Sequence, residues 1–216
     1  MERKIYCFWT GSNQMSENRR RSLDSMEAIT GCKVLCIYKD DVKKYILPEH
    51  PLHEAYEYLS ETHKADYLRT YFMHFYGGGY CDIKRSSGSW LKAFNDLENS
   101  DKWIIGYNEI MPSHIAGPPE LQENFTELIG NGSYICKPNT YLTKEWYSEM
   151  LKLLDKKLEM LKKYPSTFPQ DRSEVSGGKY PIGWIEMLGN IFHSVSYKYR
   201  DKLMNTLPRI ITEDYR

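Results

Sequence analysis

Strand, helix and strand follow one another at the start of the chain, and that order constrains the fold more than any other feature. The segment KIYCFWTG, residues 4–11, is aromatic and apolar and ends at a glycine, the pattern of a buried strand. SENRRRSLDSMEAIT, residues 16–30, follows as a helix, with Ser16 at the N-cap and Leu23, Met26, Ala28 and Ile29 forming a partial apolar stripe ahead of Gly31. CKVLCIYK, residues 32–39, is a continuous apolar run, as expected of a strand covered on both faces. A strand–helix–strand unit of this kind closes right-handed.

The alternation continues. A helical pattern runs over residues 53–76, with Ala55, Tyr58, Leu59, Ala65, Leu68 and Phe72 at spacings of three to four. Three glycines end it, and GYCDIK then reads as a short strand. KWIIGYNE and LIGNGSYICKP are two further strand candidates. An amphipathic helix is predicted from Thr143 as cap, carrying Trp146, Met150, Leu153, Leu154, Leu158 and Leu161 on one side. Residues 111–123 and 165–180 are rich in Pro, Gly and polar residues and read as loops that could close over a ligand. GWIEMLGNIFHSV reads as a short helical or mixed segment. There is no repeat, and 216 residues suit one α/β domain with a mostly parallel sheet. A chain of that length buries roughly 70% of its unfolded surface without needing a staple.

Composition removes several function classes. Lys plus Arg and Asp plus Glu both number 29, which argues against a nucleic-acid binder. The run Arg19 to Arg21 reads as solvated surface. The five cysteines, Cys7, Cys32, Cys36, Cys81 and Cys136, are odd in number and form no Cys-x-x-Cys pair. Neither a disulfide framework nor a zinc site is expected, and reduced thiols suit a cytoplasmic protein. No signal peptide is evident, and no stretch approaches the roughly 20 apolar residues of a transmembrane segment.

Chemistry concentrates at two places. In KADYLRTYF, Asp66 and Arg69 stand three apart on one helix face. On spacing alone that is an ion pair of small energetic value. FYGGGYCDIK then carries three glycines where a helix C-cap uses one, followed by Asp82 and Lys84. In parallel α/β sheets ligands bind beyond the carboxyl ends of strands, where Trp9, Thr10 and Gly11 and the Asp82–Lys84 pair both fall. Neither a dinucleotide fingerprint nor a P-loop occurs.

KADYLRTYFMHFYGGGYCDIK resembles the core motif of nucleotide-sugar glycosyltransferases of the GT-A fold, and more narrowly the capsular-polysaccharide-synthesis type. That type has relatives among mannosyl- and galactosyl-transferring enzymes and in large DNA viruses of algae. In this group an acid and an arginine precede Gly-Gly-x-Tyr-x-Asp-x-Asp. IYCFWTG resembles the family's first strand and LIGNGSYICKP a later one. The resemblance implies a GT-A-like fold and a metal-assisted transfer of a hexose or deoxyhexose from a UDP-sugar to a glycan acceptor. It implies that Trp9 stacks on the nucleobase beside Thr10 and Gly11, and that Gly79 lets the backbone approach the donor. Asp66 would hold ribose or sugar hydroxyls, Arg69 would face the diphosphate or lock Asp66, and Asn131 would sit by the donor sugar. Asp82 would be the first acid of the Asp-x-Asp motif.

Lys84 departs from the pattern, since its place normally holds a second acid that binds metal. Two arrangements are open. Mn²⁺ or Mg²⁺ is held by Asp82 and His193 with diphosphate oxygens, with Lys84 alongside; this is the expectation. Alternatively Lys84 alone neutralises the diphosphate. Glu186 is a candidate base for the acceptor hydroxyl, and Trp103, Tyr107, Glu109 and Tyr147 are candidate sugar-contacting walls. A non-catalytic nucleotide-sugar or glycan-binding module is the rival expectation, and a transferase acting on a protein side chain is a third.

Overall fold

The computed structural model describes residues 1–215. Its first unit forms as the pattern requires. Strand β1 (Lys4–Trp9) buries Ile5 and Cys7 completely. Helix α1 (Glu17–Thr30) starts at Ser16, whose side chain accepts from the Arg19 N–H, and stops at Gly31 in the left-handed conformation. Strand β2 (Lys33–Tyr38) pairs parallel with β1, Ile5 opposite Val34 and Cys7 opposite Cys36. It is an edge strand rather than one covered on both faces, and only Ile37 in it is buried. Its apolar run still packs on both sides, Leu35 against one core and Val34 and Cys36 against the other.

The helical pattern over 53–76 divides in two. Residues Glu54–Tyr58 form a 3₁₀ turn, Leu59 is extended, and α2 (Glu61–Phe75) begins anew. Ser60 causes the break: its extended backbone lets its hydroxyl accept from the His63 N–H, so it caps a helix instead of continuing one. Helix α2 is buried almost all round from Asp66 to Met73, so its polar pair is carried inside the protein. Strand β3 (Gly78–Cys81) follows, parallel to β1.

Helix α3 (Leu91–Glu98) was not foreseen; its periodicity is short, yet it buries Ala93, Phe94 and Leu97. Strand β4 (Ile104–Gly106), helix α4 (Pro119–Glu123) inside the first expected loop, and strand β5 (Ser133–Cys136) come next. Helix α5 (Tyr141–Lys163) starts two residues before its expected cap, Thr143. Thr140 caps it, and Thr143 is the reciprocal member of a capping box. Helix α6 (Gly189–Lys198) and strand β6 (Leu203–Met204) complete the fold.

The sheet order is β2-β1-β3-β5-β4-β6. Three pairings are parallel and two, both made by β5, are antiparallel. Helices α2, α5 and α6 cover one face, with Trp146 and Phe192 fully buried against Tyr134 and Phe72 against Tyr6 and Phe8. Helices α1 and α3 cover the other, with Met26, Phe94 and Trp90 packed on Ile5 and Ile135. The reversal of β5 matters for the site. Because Cys81 pairs with Ser133, the residues leaving β3 and those entering β5 lie side by side.

Gly79 belongs to this packing and not to a ligand. A Cβ there would stand 3.0 Å from Ile5 Cγ1 and 3.1 Å from Trp90 Cζ3. It does not line the cavity, and its expected role at the donor is corrected accordingly: the glycine makes room for Ile5 and Trp90.

Candidate active site

A cavity of about 480 Å³ opens beyond the carboxyl ends of β1 and β3. It is lined by Trp9, Thr10 and Gly11 from the end of β1, by Asp66 and Arg69 from α2, by Asp82 and Lys84 after β3, and by Asn131 before β5. Residues scattered from position 9 to position 131 therefore share one wall.

The centre is a network around Asp82. Its backbone N–H donates to the Gly132 carbonyl at 2.8 Å, which continues the β3–β5 ladder and fixes the loop. Its Oδ1 accepts from the Tyr80 hydroxyl at 2.6 Å and from Arg69 Nη2 at 3.2 Å. Its Oδ2 accepts from Lys84 Nζ at 2.9 Å. Burial alone would raise the Asp82 pKa; the Lys84 and Arg69 charges and the Tyr80 and Lys84 hydrogen bonds outweigh it and hold the carboxyl at about 2.

Arg69 connects the loops. Nη1 donates to the Asn131 carbonyl at 2.9 Å, Nη2 also lies 3.3 Å from Asp66 Oδ1, and the guanidinium sits 4.2 Å from the Tyr80 ring centroid. A planar fork over an aromatic face suits arginine and not lysine. Asp66 is only 4% exposed, and burial lifts its carboxyl to about 6, against the pull of Arg69 and with the help of the Asp82 charge.

Three lining groups escape a reading of the sequence. Glu61, in the first turn of α2, accepts from Thr10 Oγ1 at 2.6 Å and so pins the end of β1 to the helix. Arg19 is not merely solvated surface: its guanidinium lies 5.6 Å from the Trp9 ring and 5.0 Å from the Tyr215 ring, at the cavity wall. Tyr215 also faces Lys84, with Nζ 4.8 Å from its ring centroid. A partial signal exists for Glu61, as N1 of a helix capped by Ser60. Nothing local marks Arg19 or Tyr215.

Other candidates lie elsewhere. Glu186 does not reach the cavity: Oε2 accepts from the Gly183 N–H at 2.9 Å and Oε1 pairs with Lys157 at 2.9 Å, so it is committed to a turn. The expected acceptor base is corrected on that ground. His193 is fully buried in α6, where Nδ1 accepts from the Ala116 N–H at 2.9 Å. Burial lowers its pKa to about 4, and it does not line the cavity. The structure packs it in the core and does not bring it to Asp82, so the expected pairing of the two around an ion is corrected. Tyr107 and Glu109 bond one another, Trp103 packs on Tyr141 and Tyr199, and Tyr147 packs on Tyr71 and Phe75. None of the four lines the cavity.

Of the two expected loops, only the second reaches the site, through Pro169 and Gln170. It is tied to the start of α2: Thr62 N–H donates to the Pro169 carbonyl at 3.1 Å, and the Tyr180 hydroxyl meets His63 Nδ1 at 2.8 Å. Trp184 and Ile185, 41% and 47% exposed, stand just beyond it on the rim.

The donor set does not fit a hard divalent cation. Asp82 already serves three donors, two of them positively charged, and His193 is elsewhere. Among the described residues no three His, Cys, Asp or Glu side chains come together as a metal site.

Burial of these groups sets a pH response. Unfolded histidines take up protons below their ordinary value of 6.5, whereas His63 and His193 stay neutral in the fold down to about 4. The unfolded state then binds more protons, and stability falls as pH drops through that window. Asp66 opposes this, because its native carboxyl is protonated below about 6 and its unfolded one only below 3.8. Two histidines outweigh one acid. Urea unfolding between about pH 7 and pH 4 is expected to show declining stability, declining more steeply in Asp66→Asn. A shallower slope in the variant would contradict the assignment.

Residues 1–84, which run from β1 through Asp66, Arg69 and Asp82 to Lys84, match the family described as capsular polysaccharide synthesis protein. Among solved structures the chain is similar to one titled PaToxG Glycosyltransferase. The two are 12% identical with a TM-score of 0.52, over 92% of this chain and 69% of that one. At such identity the likeness is one of fold. Curated proteins give no match. Over 92% of its length the chain thus has a GT-A-like glycosyltransferase fold, and its first 84 residues match the capsular polysaccharide synthesis family.

Proposed function

We propose that this protein transfers a hexose or deoxyhexose from a UDP-sugar to a glycan acceptor. The observation that carries the reading is the convergence of Trp9 and Thr10, Asp66 and Arg69, and Asp82 and Lys84 on one cavity at the carboxyl edge of the sheet. The glycosyltransferase fold and the family match over residues 1–84 support it.

The mechanism follows from charge. As the bond between the anomeric carbon and the phosphate oxygen breaks, its electron pair goes to the departing diphosphate and the sugar carbon becomes electron-deficient. The acceptor hydroxyl oxygen forms the new bond at that carbon, and its proton leaves with the diphosphate. Cations fixed beside the diphosphate lower this barrier without reorganising. Trp9 offers a face to the base, and its indole N–H is held by the Asn13 carbonyl at 3.0 Å. Asp66 and Asn131 face the sugar hydroxyls. The acceptor enters over the rim at Trp184 and Ile185, the exposed apolar residues of the lining.

Release of UDP from a panel of UDP-sugars, with and without glycan acceptors, tests the reading. Expected is slow release with one donor that rises when an acceptor is added. Binding of a UDP-sugar in a thermal-shift screen without any UDP release would instead identify a binding module, a reading favoured only by the unusual Lys84. No binding and no release across the panel would sink both.

A further inference from the structure

Resting on the donor-site reading above, we infer that Lys84 is the built-in counter-cation of the diphosphate, so that this chain binds its nucleotide donor without a divalent metal.

Lys84 lies at the cavity wall, and its position is fixed from two sides. Its backbone N–H closes a tight turn on the Asp82 carbonyl at 2.6 Å, and its ammonium sits 2.9 Å from Asp82 Oδ2. The Tyr215 ring covers it at 4.8 Å. The side chain is 15% exposed, so the charge is held in place and still open to a ligand. The Asp82 carboxylate keeps it protonated, burial notwithstanding.

A metal has no place here. An ion on Oδ2 would stand beside the ammonium already bonded to that oxygen, like charge against like charge, and one on Oδ1 would have to displace Arg69 or Tyr80. The neighbouring acid, Asp66, is paired with Arg69 at 3.3 Å. Meanwhile the lining supplies three cationic side chains, Arg19, Arg69 and Lys84. A lysine ammonium is a compact point charge with three donors, well suited to phosphate oxygens. What the usual second acid would do through a bound ion, the lysine does directly.

Calorimetric titration with UDP as the probe, in chelator and in Mn²⁺ at matched ionic strength, tests the inference. The native protein is expected to bind UDP with less than about a threefold difference between the two buffers. Lys84→Asp, which restores two acids, should bind about tenfold or more weakly in chelator and recover in Mn²⁺. Lys84→Met keeps the aliphatic stem and should weaken UDP in both buffers alike. A gain of threefold or more from Mn²⁺ in the native protein would overturn the inference, as would undiminished affinity of folded Lys84→Met in chelator. Failure of the folded native protein to bind UDP in either buffer would remove the donor-site reading itself, and the lysine's role with it.

Discussion

Asp82→Asn is expected to lower turnover of the UDP-sugar by at least about 100-fold, the scale on which loss of one preorganised electrostatic group acts. The change keeps shape and removes one charge. Arg69 and Lys84 then lose the anion that aligns them, and an amide N–H₂ in place of an oxygen faces one of the two cations or the Tyr80 hydroxyl. Breaking a buried pair by removing one partner costs roughly 3–5 kcal/mol when burial is complete. The Asp82 side chain is 25% exposed, so the stability loss should be smaller. Turnover per folded molecule, with folding checked by circular dichroism, separates the two effects. Undiminished turnover in a folded variant would remove Asp82 from the machinery.

Gly77→Val should be the most destabilising of these changes, by about 3–5 kcal/mol in denaturant unfolding. Gly77 has φ 64°, a conformation that a β-branched residue adopts only under strain. A Cβ there would also stand 2.5 Å from Pro138 Cδ and 2.9 Å from the Cys136 carbonyl oxygen. Pro138 cannot rotate away and the carbonyl belongs to the β5 ladder, so the backbone must shift. Because β5 leads back to Asn131, donor binding should weaken as well. A loss below about 1 kcal/mol would mean that the turn relaxes freely.

These residues also show how far the sequence could be read. The strand–helix–strand opening, the cap at Ser16 and the stop at Gly31 rest on local rules that the fold does not override. The three glycines were visible, but their separate duties were not. Gly77 and Gly78 turn the chain at positive φ, while Gly79 makes room for Trp90, a residue eleven positions on. The direction of β5 was equally hidden, since an apolar run carries no sign of which way it runs. Asp66, Arg69 and Asp82 could be picked out through the resemblance of their segment to a known motif, with Lys84 marked as its departure; spacing alone made Asp66 and Arg69 an ordinary ion pair. His193 and Glu186 could not be judged, because their partners Ala116 and Lys157 are far along the chain. Arg19 looked like one of three equivalent arginines until the fold set it between two rings.

The turned-about strand has one more effect. Asp82 and Asn131 flank rungs of the same hydrogen-bonded ladder, so the spacing between these two lining residues is set by main-chain geometry. The opposite bank, near Pro169 and Trp184, is tied to the start of α2 by one main-chain hydrogen bond, from Thr62 to Pro169, and by the side chains of Thr62 and His63. If the cleft takes the proposed donor, the bank built on the sheet ladder is the one held by continuous main-chain pairing, and the loop bank is the one free to adjust.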